Sequence, residues 1–116
     1  MITLHHLDQS RSFRILWALE ELARRVTPTT EELHHVTNRE FREGAAWYLG
    51  ETVRRAFSGR WNLNPRRRGE RSFPYVEKLG ARGARLTPVV VLEVALTKPG
   101  HLAHRWELIA GRPMED

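Results

Sequence analysis

A periodic apolar pattern over residues 38–57 constrains this chain more than any other feature of its sequence. Apolar side chains recur there every three or four positions, which places them on one face of an α-helix. The stripe contains Phe41, Leu49, Val53 and Phe57. Such a helix is stable only when its apolar face is buried, because helix propensity alone contributes too little. The pattern therefore predicts a long central helix that packs on the rest of the domain.

The residues at both ends of this pattern agree with a helix. Thr37 and Glu40 have the spacing of a capping box, in which the side chain of each residue accepts a hydrogen bond from the backbone N–H of the other. At the other end, the Ser-Gly pair at 58–59 predicts the stop, with the glycine just beyond the cap. Gly44 and Gly50 lie inside the helix, where each costs about 1 kcal/mol relative to alanine. A glycine in such a position often admits a close neighbour.

Shorter elements flank the central helix. Residues 2–7 form a short apolar run that predicts a strand, and Ser10 then has the position of the N-cap of a helix. Residues 60–64 and 73–79 contain the aromatic and aliphatic residues typical of strands. The two strands can pair with each other across the polar loop 65–72.

Three segments complete the chain. Residues 80–85 predict a turn. Residues 88–97 are ambiguous, because three consecutive valines favour a strand whereas Thr87 and Pro88 have the pattern of an N-cap and a first helical residue. We favour a helix there and leave the strand as the alternative. Residues 101–110 predict a final short helix.

Together these elements predict an α+β fold, with a long central helix against a short antiparallel sheet and flanking helices. The length of 116 residues is that of a single domain, covering residues 1–116. Within it we distinguish a strand–helix segment at 1–25, either native or fused, from a helix–hairpin–helix body at 26–116.

The composition restricts the chemistry and the location. The chain has no cysteine, so neither a disulfide framework nor thiolate chemistry is expected. Its first residues lack the basic stretch followed by an apolar stretch that marks a signal peptide. No apolar run approaches the ~18 residues that a membrane span needs. We therefore expect a cytoplasmic protein without a membrane partner.

The net charge of +5 is concentrated in one part of the sequence. Residues 60–85 contain eight basic and two acidic residues, and the sharpest cluster is Arg66, Arg67 and Arg68. Such a patch predicts an anion-binding site for phosphates or an acidic partner. The alternative is a genomic preference for arginine codons, because 17 of the 19 basic residues are arginine.

The stretch ITLHHLDQSRSFRILWALEEL, within residues 1–22, resembles the start of bacterial glutathione S-transferases. The resemblance implies the first strand and helix of a thioredoxin-like domain and glutathione as the bound cofactor. It also implies that Ser10 and Ser12 supply a catalytic hydroxyl to the glutathione sulfur. Pro88 is the candidate for the family's cis proline, which binds the glutathione backbone. The Glu-Ser or Gln-Ser pair that holds the γ-glutamyl group in the family does not follow Pro88.

The stretches FREGAAWYLGETVRRAFSGRW, FPYVEKLG and LTPVVVLEVALTKPGHLAHRWELI resemble a second group of proteins over residues 39–110. These are small uncharacterised bacterial proteins with a YLGE-x-x-RR helix, a Gly-x-Trp strand and a helix that begins with proline. The resemblance implies a fold of that kind and no particular activity.

Other candidate residues predict structural roles. His101 and His104 are spaced to face one way on a helix with Glu107 nearby, but a further metal ligand at diagnostic spacing is missing, so we predict no metal site. Glu51 is placed for an ion pair with Arg55, whereas a general acid would need burial and a raised pKa. The tryptophans fall one to an element, which predicts packing in the core. They are Trp17, Trp47, Trp61 and Trp106.

The leading functional hypothesis is a non-catalytic module with a protein-interaction or structural role, an unidentified protein partner and no cofactor. The alternative is a glutathione S-transferase-like fragment that binds glutathione. A third hypothesis is weak nucleic-acid binding through the basic residues 60–71, where aromatic residues flank the arginines. No recognition signature for nucleic acid accompanies them, so nucleic acid is not the expected partner.

Overall fold

A computed structural model describes the backbone of residues 4–63 and 73–111 and the side chains of residues 14–63 and 73–111. The described elements form an α+β fold, as predicted, in which helices pack on a three-stranded antiparallel sheet. In chain order they are α1 (Leu4–Val26), α2 (Thr30–Leu33), a 3₁₀ turn (Val36–Asn38), α3 (Arg39–Phe57), β1 (Arg60–Asn62), β2 (Tyr75–Leu79), β3 (Ala84–Leu86), α4 (Pro88–Thr97) and α5 (His101–Ala110).

The predicted central helix is confirmed as α3, which contacts α1, α4 and the sheet. Leu49 and Val53 are buried in the core, and Phe41 and Phe57 pack against it from partly buried positions. The apolar stripe was therefore assigned the correct phase. Because this stripe is buried against α1, α4 and the sheet, its packing supplies the stability that helix propensity alone does not provide.

The start of α3 differs from the prediction, whereas its end at Ser58 and Gly59 is as predicted. Thr37 lies inside the 3₁₀ turn, and Asn38 is the N-cap without a side-chain hydrogen bond, so the predicted capping box is wrong. At the C-terminal end, Ser58 takes the left-handed conformation with φ of 58°. Gly59 is needed for lack of space and not for its backbone conformation. A Cβ there would lie 2.4 Å from Leu79 and 2.8 Å from the carbonyl oxygen of Glu77. The glycine permits the close approach of β2.

The predicted hairpin is confirmed, since β1 and β2 pair antiparallel with Trp61 opposite Val76. A third strand, β3, pairs with the other side of β2, where the sequence predicts only a turn. Three residues are too few to display an alternating pattern, and within β3 only Leu86 is buried. The strand is therefore defined by its pairing with β2 rather than by its own sequence.

The predicted strand at residues 2–7 is wrong over Leu4–Leu7, which form the first turns of α1. Ser10 consequently lies within the helix and is not its N-cap. A short strand gains backbone hydrogen bonds only from a partner strand, whereas a helix satisfies them locally. The described sheet contains only the antiparallel strands β1, β2 and β3, so these residues do not form the parallel βαβ unit that the glutathione S-transferase resemblance implies.

The segment at 88–97 is the helix α4, as favoured, and α5 follows as predicted. Thr87 is the N-cap of α4 and Pro88 opens it, where its fixed φ suits a helix and its missing N–H costs nothing. The peptide bond before Pro88 is not cis, so the cis proline implied by the resemblance is not formed. Among the described residues, no helix combines the length and the apolar character that a membrane crossing requires.

Candidate functional site

Two tryptophans stack on each other at the junction of α3 and the sheet. The rings of Trp47, from α3, and Trp61, from β1, are parallel within 7° and their centroids are 4.8 Å apart. Trp47 is 52% exposed, although large aromatic residues gain most when they are buried. The prediction that each tryptophan fills the core is therefore wrong for Trp47. It is also wrong for Trp17, which is 51% exposed, whereas Trp106 is buried.

Gly50 makes room for this stack on the surface of α3. A Cβ at Gly50 would lie 2.1 Å and 2.3 Å from two ring carbons of Trp61 and 3.2 Å from Pro88. No residue with a side chain fits there while Trp61 keeps its place. The glycine inside the helix therefore admits an indole ring, whereas Gly44 has open space around it.

Glu51 fixes the orientation of Trp61. The indole N–H of Trp61 donates to Glu51 Oε1 at 2.8 Å. Arg54 donates to both oxygens of the same carboxylate at 2.7 and 3.1 Å, and Arg55 donates at 3.2 Å. These bonds confirm the predicted pair with Arg55. The hydrogen bonds from Arg54 and Trp61 lower the pKa of Glu51 to about 2.

A cavity of about 300 Å³ opens beside the stacked tryptophans, and we call it the tryptophan cleft. Its walls are mainly apolar, and Arg42 and Glu43 add charge to the lining. The apolar residues that define it include Trp47, Trp61, Leu63, Phe73, Pro88 and Val89. The cleft thus collects residues from α3, β1, α4 and the segment that precedes β2. Its volume lies at the lower end of the range for small-ligand sites.

Contacts from α2 and α4 hold two of the lining residues. The His34 ring lies 5.9 Å from the Phe73 ring, between centroids, and His34 also bonds to Glu93 of α4. Arg42 donates from Nη1 to the carbonyl oxygen of Leu33 at 3.0 Å. These contacts position the ring of Phe73 and the guanidinium of Arg42 in the lining of the cleft.

The lowered pKa of Glu51 predicts a pH-dependent contribution to stability. Ionised Glu51 stabilises the folded state fully above the unfolded pKa of 4.5, and this contribution is lost as the pH falls toward about 2. Wild type should therefore lose stability relative to Glu51→Gln across this interval. Urea denaturation of both proteins at several pH values measures the difference. An unchanged difference between these limits would show that Glu51 is not held by its arginines and Trp61.

The residues singled out from sequence do not converge on one site. Pro88 lies buried at the start of α4 and contributes to the wall of the tryptophan cleft. Ser10 and Ser12 lie in α1, and their side chains are outside the described part of the structure. Arg66, Arg67 and Arg68 are also outside the described residues. Their predicted roles therefore stay predictions.

The two histidines of α5 lie close together, and the described residues place no third metal-ligating side chain with them. The ring centroids of His101 and His104 are 6.4 Å apart. Burial lowers the pKa of His101, and the nearby positive charge of Arg105 adds to this effect. Among the side chains of residues 14–63 and 73–111, no group of three or more His, Asp or Glu residues is arranged to hold a metal ion.

Sequence reasoning missed the tryptophan cleft because each of its parts has an ordinary explanation alone. From sequence alone, the tryptophans predict core packing, Gly50 has no evident role, and Glu51 predicts a surface ion pair. The spacing of Trp47 and Glu51, one helical turn apart next to Gly50, was the available signal. This signal can be interpreted only when it is known that Trp61, from the strand that follows, packs on the same face of α3.

Comparisons with protein families, with curated proteins and with solved structures found no match to this chain.

Proposed function

We propose that the protein is a non-catalytic interaction module that holds a segment of a partner protein in the tryptophan cleft. The half-exposed ring of Trp47, stacked on Trp61 beside an apolar cavity of about 300 Å³, is the observation that carries this proposal. Tryptophan is enriched among the residues that dominate the binding energy of protein interfaces, particularly beside pockets that exclude water. The cavity has room for a large apolar side chain of a partner.

The cleft is formed before any partner arrives, which favours binding. Trp61 is fixed by its hydrogen bond to Glu51 and by its close contact with Gly50. Trp47 is held on one side by the stack with Trp61. Because these rings are already ordered, the free-energy cost of ordering them when a ligand binds is smaller.

The electrostatics of Glu51 support a positioning role rather than proton transfer. A general acid or base works best when its pKa is near the operating pH, whereas the pKa of Glu51 is lowered to about 2. Glu51 is also occupied by Arg54, Arg55 and Trp61. Its chemistry is therefore that of a permanent acceptor that orients the indole ring.

Neither glutathione nor nucleic acid is the ligand in this proposal. Pro88 contributes to the cleft as an apolar surface at the start of α4. Two described arginines of the basic segment make contacts within the protein. Arg60 donates to Glu77 at 2.9 Å, and the Arg85 guanidinium lies 4.6 Å from the centre of the Tyr75 ring. Reduced glutathione and an oligonucleotide are therefore suitable negative competitors.

Selection from a random peptide library on wild-type protein tests the proposal. Selected peptides should share a bulky apolar residue, because such a side chain fills the cavity beside Trp47. Their affinity should fall about tenfold or more in Trp47→Ala, since loss of an interface hot spot costs about 2 kcal/mol or more. Fluorescence polarisation of labelled peptides measures the change.

Tyr48→Ala is the matched control, because Tyr48 is the next residue on α3 and is 48% exposed but does not line the cleft. It should leave the affinities unchanged. If the selection enriches no peptide, or if the enriched peptides bind Trp47→Ala as tightly as wild type, the cleft is not an interaction site.

A further inference from the structure

We infer that the segment held by the tryptophan cleft carries a carboxylate beside its apolar anchor, and that Arg42 recognises this carboxylate. The inference rests on the proposed function, since it names the chemistry of the partner at that same site. Two observations support it: the charged residues Arg42 and Glu43 line the cleft, and they differ in the partners that they already have.

Arg42 and Glu43 are both in the lining, but their charges are not equally available. Glu43 accepts a hydrogen bond from Arg39 Nε at 3.1 Å, so its charge is compensated within α3. Arg42 donates to the neutral carbonyl of Leu33, and the described residues give it no carboxylate partner. Within the described part of the chain, the charge that remains uncompensated in the lining is therefore positive.

The next carboxylate in the same region does not reverse this balance. Glu51, which orients Trp61, is paired with both Arg54 and Arg55. The two carboxylates Glu43 and Glu51 thus each have arginine partners, while Arg42 has no carboxylate partner among the described residues. The net charge of the whole chain, +5, has the same sign. A carboxylate on the partner is attracted here, and a partner lysine is repelled.

The guanidinium of Arg42 can accept this ligand without giving up its existing contact. It has five N–H donors, and its one described hydrogen bond engages Nη1. The remaining donors suit a carboxylate, because the planar fork can bind two oxygens at once. An apolar anchor in the cleft would also displace water beside this contact, which strengthens the attraction between the charges.

Three versions of one short peptide test the inference on the full chain. Each has a central phenylalanine, and the flanking residues are glutamates, serines or lysines. The glutamate version should bind wild type about tenfold or more tightly than the lysine version, with the serine version between them. Titration calorimetry measures all three. The preference should shrink at about 1 M salt, where charges are screened beyond about 3 Å.

Variants of Arg42 identify the residue responsible. Arg42→Gln should bring the glutamate and lysine versions to within about threefold, while Arg42→Lys, which keeps the charge but loses the planar fork, should retain part of the preference. Arg25→Gln removes the same charge from an exposed position of α1 outside the cleft lining and should change nothing. Thermal melts of each variant show whether it is folded. A preference retained in Arg42→Gln would overturn the role of this residue.

The outcomes separate this inference from the proposed function. If all three peptides bind equally and all lose affinity in Trp47→Ala, the cleft is an interaction site and the charge preference is wrong. If the lysine version binds most tightly, the inference is also overturned. If none of the three binds wild type, or if their binding is unaffected by Trp47→Ala, the proposed function fails and the inference fails with it.

Discussion

Gly50→Ala is expected to destabilise the protein by about 1–3 kcal/mol, whereas Gly44→Ala on the same helix is expected to stabilise it by up to about 1 kcal/mol. Both substitutions raise helix propensity equally, because both glycines lie inside α3. The sign of the effect is therefore decided by what surrounds each position. Gly44 is open on all sides within 4 Å, while a Cβ at Gly50 would overlap Trp61 at 2.1 Å.

Trp61 cannot relieve this overlap without losing contacts. Its ring is stacked on Trp47, and its N–H is bonded to Glu51 at 2.8 Å. A shift large enough to admit a methyl group disturbs both, and a hydrogen bond to a charged group contributes about 1.5–3 kcal/mol. The gain in helix propensity of about 1 kcal/mol is smaller than this loss.

Urea denaturation of the two variants measures the effects, and tryptophan fluorescence reports whether the stack is disturbed. Only Gly50→Ala should change the emission spectrum, because Gly44 touches no aromatic ring. A stabilising Gly50→Ala with unchanged fluorescence would mean that Trp61 does not lie against α3 as described.

The contrast between these glycines shows what the sequence could and could not predict. Helix α3 was predictable because its apolar stripe repeats over many residues, and periodicity is the strongest signal in a sequence. The same pattern gives no information about the outer face of the helix. Whether a glycine there is open or covered depends on where the chain returns after the helix, which is set by the pairing of β1 with β2.

The N-terminal segment shows a different limit. Residues 4–7 are two leucines around two histidines, and a stretch of that length is equally compatible with a strand and a helix. The resemblance of residues 1–22 to glutathione S-transferases favoured the strand. In the structure, residues 4–7 are the first turns of α1, and the same helix places Leu16, Leu19 and Ala23 in the core.

The residues that matter most for the candidate site are likewise set by tertiary contacts. The exposed Trp47 and the buried Trp106 are equivalent in a sequence, because each belongs to an amphipathic helix. Their burial differs since Trp106 packs against Phe57 inside the core, with ring centroids 4.6 Å apart, while Trp47 stacks on Trp61 at the edge of the cleft. Neither the composition nor the residue spacing of the sequence predicts these two arrangements.

A buried carboxylate on α1 provides the last and largest expected effect. The Glu20 side chain is 1% exposed, and its charge is compensated by Arg24 one turn later. Its oxygens also accept from the backbone N–H groups of Gly100 at 2.6 Å and Leu102 at 3.2 Å. These groups lie at the start of α5, where the N–H groups have no partner within the helix and the helix dipole favours a negative charge.

Glu20→Ala should therefore destabilise the protein by about 3 kcal/mol or more, because it leaves buried donors and a partly buried arginine without their acceptor. Glu21→Ala is the matched control. Glu21 is the next residue, also pairs with Arg24 and Arg25, and has a side chain that is 57% exposed. An exposed pair of this kind contributes less than about 1 kcal/mol.

Denaturation midpoints in urea compare the two variants, and amide hydrogen exchange locates the effect. In Glu20→Gln, which keeps one carbonyl acceptor and serves if the alanine variant does not fold, the amides of Gly100 and Leu102 should exchange faster than in wild type. Amides of α3 should change only as far as global stability falls. If Glu20→Ala proved as mild as Glu21→Ala, the carboxylate would not be the contact that joins α5 to α1, and other contacts, such as the apolar packing of Leu102, Trp106 and Ile109, would hold α5 in place.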